Sequence, residues 1–189
     1  MSAALLVRLI LWSWFAAAAY AGHALVLQRI AAPAIPALGL MAAALLFMTY
    51  TRSALLRDWV DGINLRALVL LHLSRLLGIA YLVLHARGQL SSAFALSAGI
   101  GDIALAAFAL PVALAPLDDA GRARAISAWN IAGLTSSLIV LGGMVRLGFT
   151  DPIQLAAFAQ LPLCLLPTFF LPLLLATHLL IFARLSRSE

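Results

Sequence analysis

The chain has 189 residues, 65% of them hydrophobic and only 10% charged, with a mean hydropathy of +1.08. A soluble domain carries about 25% charged residues, so this composition belongs to an integral membrane protein. The formal net charge of +5 rests on arginine alone, because the chain has no lysine, and that excludes Schiff-base, PLP and P-loop lysine chemistry.

The isoelectric point near 10.7 does not argue for nucleic acid as a partner. The arginines stand singly at the ends of apolar runs, where membrane topology places them. Cys164 is the only cysteine, so an intrachain disulfide or a thiolate metal site is excluded.

Six apolar runs approach or exceed the length of about 20 residues that crosses a bilayer, and together they make one polytopic domain over residues 1–189. The first covers residues 9–27 and follows Arg8. Its Ala19–Tyr20–Ala21 resembles a signal-peptide end, but the apolar run continues through His23 to Leu27, which suits a membrane anchor better than a leader. Trp12 and Trp14 are expected as interface anchors, as is Trp129 further on. The second run, residues 34–51, is the shortest.

Residues 52–66 connect the second and third runs. Leu55, Leu56, Trp59 and Ile63 share one helical face there, away from Arg57, Asp58 and Asp61. This pattern predicts an amphipathic helix lying in the interface between spans 2 and 3.

The third run, residues 67–86, carries Arg75 near its centre, about nine residues or ~13 Å in from Arg66. A charge at that depth is unfavourable by about 3 kcal/mol on insertion scales and faces a partner or a water-filled cavity. The fourth run, residues 93–117, carries Asp102 near its middle, preceded by Gly99 and Gly101. The two runs are antiparallel neighbours, so Arg75 and Asp102 are expected to pair in the interior. Gly78, three residues beyond Arg75, favours close helix contact on the same face.

The fifth run, residues 125–145, sets Asn130, Gly133 and Ser137 on one face. Asn130 needs a hydrogen-bond partner there, so this face should look inward. The sixth, residues 157–182, holds Pro162, Pro167 and Pro172, each removing a backbone donor, and is expected to kink.

His72 and His178 each lie six residues from an arginine that marks a span end, Arg66 and Arg184. Equal depth is one requirement for bis-imidazole ligation of haem b or for two ligands of one metal. His23 and His85 lie near the opposite span ends and are expected at the interface. No serine stands in a G-x-S-x-G context, and Glu189 is the only glutamate, so nothing supports an enzyme at residue level.

Arginine placement sets the orientation. Arg8, Arg52, Arg57, Arg66, Arg122, Arg124, Arg184 and Arg187 fall on one side, and Arg29, Arg87 and Arg146 on the other. Eight against three places both termini in the cytoplasm, in a bacterial inner membrane.

The expected fold is an all-α bundle of six transmembrane helices. The expected function is binding or transport of a small amphipathic or anionic ligand, such as a lipid, a quinone or an organic anion. Its site would comprise His72, Arg75, Asp102, Asn130 and His178. The alternatives are an electron-transfer subunit with haem b on His72 and His178, and an accessory or assembly subunit of a larger membrane complex. The expected partners are the lipid bilayer and a larger complex or a homo-oligomer.

Overall fold

The computed structural model describes residues 2–187. Glu189 lies outside the described residues. Helix is the regular secondary structure of those residues, with no strand among them. Six helical segments are long and apolar enough to cross a membrane: Ala3–His23, Ala34–Arg52, Leu65–Ala86, Ser92–Leu114, Asp119–Thr150 and Leu166–Leu185. The chain divides into two compact units, one of residues 1–62 with 142–176 and one of residues 63–141 with 177–189.

In the first unit, α1 (Ala3–His23) starts at Ser2, whose side chain accepts a hydrogen bond from the Leu5 amide. It ends before Leu25, which adopts a left-handed conformation with φ 56°. A short 3-10 turn, Val26–Arg29, leads to α2 (Ala34–Arg52). Ser53 caps α3 (Ala54–Asp61) by accepting from the Leu56 amide. This helix stops at Gly62, so Ile63 does not extend its apolar face as the sequence pattern suggested. Tyr50 donates to Asp61 Oδ1 at 3.0 Å and ties α2 to the end of α3.

The predicted sixth span is shorter than expected. Residues Pro152–Ala159 form a 3-10 stretch, a turn containing Pro162 follows, and a single π turn, Leu166–Phe170, opens the spanning segment. Proline explains the delay: it donates no amide hydrogen and crowds the preceding turn, so a helix cannot run through Pro162 and Pro167 undisturbed. Helix α2 packs against the π turn. A β-carbon at Gly39 would lie 2.6 Å from the Pro167 carbonyl oxygen, so glycine alone permits this approach.

In the second unit, Asn64 caps α4 (Leu65–Leu71) by accepting from the Arg66 amide at 2.9 Å. The third span then tightens into a 3-10 stretch, His72–Gly78, before resuming as α5 (Ile79–Ala86). In a 3-10 helix, side chains three apart eclipse one another. His72, Arg75 and Gly78 therefore stand in one line, and all three are buried.

Helix α6 (Ser92–Leu114) packs against α4, the 3-10 stretch and α5. It does so through Ala95, Ala98, Gly99, Asp102, Ala106, Ala109 and Ala113, a stripe with helical spacing. Small side chains let the backbones approach. Helix α7 (Asp119–Thr150) adds Ile126 and Trp129, and α8 (Leu171–Leu185) adds Ile181, to an apolar cluster with Leu68, Val69, Ala109 and Ala113.

Trp129 corrects an expectation. It is buried rather than anchored at an interface, because α7 begins at Asp119 and puts it about 15 Å along the helix. Its Nε1 donates to the Leu105 carbonyl at 3.0 Å. His23 is exposed, and His85 lies within hydrogen-bond distance of the Leu90 carbonyl at 3.0 Å.

Candidate functional site

The 3-10 line of the third span aims Arg75 into the second unit, where the residue keeps only 2% of its exposure. Its guanidinium is the hub of a polar network. Nη1 donates to Asp102 Oδ1 on α6, forming an ion pair. Nε donates to His72 Nδ1 at 3.3 Å, one 3-10 turn earlier. Nη2 faces three acceptors: the Gly133 carbonyl oxygen at 3.0 Å, Ser137 Oγ, and His178 Nε2 at 2.9 Å. Ser137 donates in turn to the Gly133 carbonyl at 2.9 Å.

A guanidinium can only donate. The imidazole nitrogens that face it must accept, so each ring carries its proton on the other nitrogen and is neutral. His72 Nε2 thus donates to Thr177 Oγ1 at 3.0 Å, and His178 Nδ1 donates to Asn130 Oδ1 at 2.7 Å. Asn130 Nδ2 closes this loop by donating to the His178 carbonyl at 3.0 Å. One positive and one negative charge remain, and the site is neutral overall.

The structure brings together all five residues expected from the sequence: His72, Arg75, Asp102, Asn130 and His178. Ser137 and Gly133, on the inward face of α7, join them. Gly133 is required by shape, since a β-carbon there would run into the His178 ring. Gly78 plays the same part for the acid, where a β-carbon would lie 2.7 Å from Asp102 Cβ. Sequence reasoning missed Thr177 and Trp129. Thr177 adjoins His178, and its hydroxyl is the only visible signal. Trp129 packs edge-on against His72, with ring centroids 5.0 Å apart.

The site does not have the geometry of a bis-imidazole haem centre. The His72 and His178 rings touch, with centroids 4.3 Å apart and planes at 43°. Both nitrogens of each ring are turned to protein partners. Haem ligation would need one nitrogen of each facing the iron across a porphyrin-wide gap. Equal depth, the feature that suggested haem, here serves a shared guanidinium.

A family model described as a domain of unknown function, DUF8737, matches residues 31–186. The chain belongs to this family. The match contains every residue of the Arg75 network and leaves out α1. No curated protein and no solved structure matches the chain.

Burial differs within the ion pair. The Asp102 side chain keeps 12% of its exposure and that of Arg75 only 1%. Tyr81 is buried on α5.

Proposed function

We propose that the protein is a polytopic protein of the bacterial inner membrane that binds or carries a small organic anion or anionic amphiphile at Arg75. Both termini face the cytoplasm in this reading, and α3 lies in the interface with Trp59 at headgroup level. The arginine asymmetry supports the orientation. The exposed Leu55 and half-buried Trp59 on a short helix that also carries Arg57 and Asp58 support the interfacial placement.

The observation that carries the functional reading is the neutral, four-segment network around one guanidinium. Buried ionisable groups in membrane spans mark ligand or proton paths by default. Both imidazoles are held neutral by accepting from the Arg75 guanidinium. An anion that reaches Arg75 therefore meets one competing charge, the Asp102 carboxylate, among otherwise neutral acceptors. For the interior to stay neutral, Asp102 must take up a proton as the anion arrives. Binding then couples one proton to each monovalent anion. The groups that bear on this step are Arg75, which pairs with Asp102, His72 and His178, which contact Arg75, and Tyr81, buried on the neighbouring α5. Arg75 is the only fixed charge among them.

The test is thermal stability of the purified protein with benzoate, a small amphipathic anion, at pH 5.5 and 7.5. Ligand that binds only the native state raises the transition temperature. Because the acid must be protonated, the wild-type shift is expected to be larger at pH 5.5. Asp102→Asn, a permanently neutral side chain, should bind benzoate about equally at both values. Arg75→Leu should lose the shift while keeping its helical circular dichroism. A folded Arg75→Leu protein with an unchanged benzoate response would defeat this assignment.

A further inference from the structure

The second unit holds another polar feature, remote in sequence from Asp102. A cavity of about 560 Å³ is lined by Asn64, Leu65, Arg66, Asp119, Arg122 and Arg184, with small and apolar side chains beside them. Three arginines against one aspartate give the lining a charge of +2 (3 − 1). Leu65 and Asp119 begin spanning segments, and Arg184 lies in the last turn of another. On the reading that the chain crosses a membrane, the cavity therefore opens at headgroup level.

Two of the arginines are fixed in place. Arg122 donates to the carbonyl oxygens of Ala113, Ala115 and Leu117 at 3.0–3.2 Å, closing the end of α6. Its buried Nε has no hydrogen-bond partner. An unpaired donor of this kind is rare in native proteins. Arg184 donates to the Ile63 carbonyl. Arg66 is exposed at the rim. The only opposing carboxylate in the lining, Asp119, is exposed in the first turn of α7. Preplaced guanidiniums around a concave, net-positive site suit an anion whose several oxygens each take a donor, and phosphate has that form.

We propose that this cavity binds a phosphate group, supplied either by an anionic phospholipid headgroup or by free phosphate. Basic pockets between spanning helices recognise lipid headgroups by the same chemistry. The site is separate from the Arg75 centre, and neither proposal needs the other.

The experiment uses the full chain in neutral detergent. Native mass spectrometry measures adducts with phosphatidylglycerol and phosphatidylcholine, and calorimetry measures inorganic phosphate. Phosphatidylglycerol should bind more tightly than phosphatidylcholine, and Arg66→Gln should weaken it about fivefold, the effect of one lost charge near a membrane surface. Ala120→Glu adds a carboxylate to the exposed lining and should weaken it by at least as much. Phosphate binding with the same sensitivity, and no lipid preference, assigns the site to the free anion. Equal binding of both lipids without phosphate binding overturns the proposal, and so does indifference to both variants.

Discussion

The interiors of the two units are built on different principles. The first is held by shape: Gly39 against the Pro167 carbonyl, and Phe169 edge-on to both Trp14 and Phe15, with centroids 4.9 and 5.3 Å apart. The Tyr50–Asp61 bond adds a polar tie between α2 and α3. The second combines an apolar cluster around Leu68 and Ile181 with a charged hub at Arg75. Packing of the first kind tolerates no added atom. A hub of the second kind tolerates no missing partner, because each deletion strands a polar group away from water.

The largest expected effect therefore comes from breaking the ion pair by halves. Arg75→Leu should destabilise by about 3–5 kcal/mol, since it leaves Asp102 buried without its countercharge. Adding Asp102→Leu removes the stranded charge and should recover part of that loss. Recovery should stop short of wild type. His72 Nδ1 and His178 Nε2 would still lack the donor they were set to meet, at ~1–3 kcal/mol for each unsatisfied group. Unfolding of the two variants in detergent measures the difference. A double variant no more stable than Arg75→Leu would mean that the carboxylate never needed the guanidinium.

How far the sequence foretold this hub depends on the kind of signal. Arg75 and Asp102 were legible because a charge in an apolar run has few explanations. Asn130 and His178 were legible for the same reason, though more weakly. Thr177 was not, since a threonine satisfies itself on its own helix and marks nothing. The 3-10 stretch His72–Gly78 was also hidden, because no proline or pair of glycines interrupts those residues. Its consequence, the alignment of His72 with Arg75 and Gly78, appears only in three dimensions. The haem alternative failed at this level: depth can be counted along a sequence, but the gap between two rings cannot. In the first unit the prolines were visible, and a kink was expected of them. Their joint effect was stronger, confining the spanning helix to Leu166–Leu185.

The shape-held interior is tested from the opposite direction, by adding an atom. Gly39→Ala should destabilise by roughly 1–3 kcal/mol, because the new methyl meets backbone that cannot rotate away. Gly142→Ala is the control within the same unit. Nothing lies within 4 Å of its β-carbon position, so the usual gain of about 0.5–1 kcal/mol for alanine over glycine in a helix should appear. Opposite signs from the same substitution would locate the constraint in contact rather than in helix propensity. Equal effects would undo the description of this unit as held by shape.

A small loss is expected at Trp129, whose side chain combines ring packing with a hydrogen bond. Its ring packs on His72 and its Nε1 bonds the Leu105 carbonyl. Trp129→Phe keeps an aromatic face and removes the donor. The Leu105 carbonyl oxygen lies inside α6, where the helix offers it an amide, and its second lone pair need not be filled. The deletion therefore strands no polar atom, and the loss should stay at about 1 kcal/mol, the net value of one hydrogen bond. A fall in unfolding free energy near that of Arg75→Leu would show that the indole positions His72, and with it the whole network. A small fall with an unchanged benzoate response would confine the indole to packing and leave the positioning of His72 to Arg75 and Thr177.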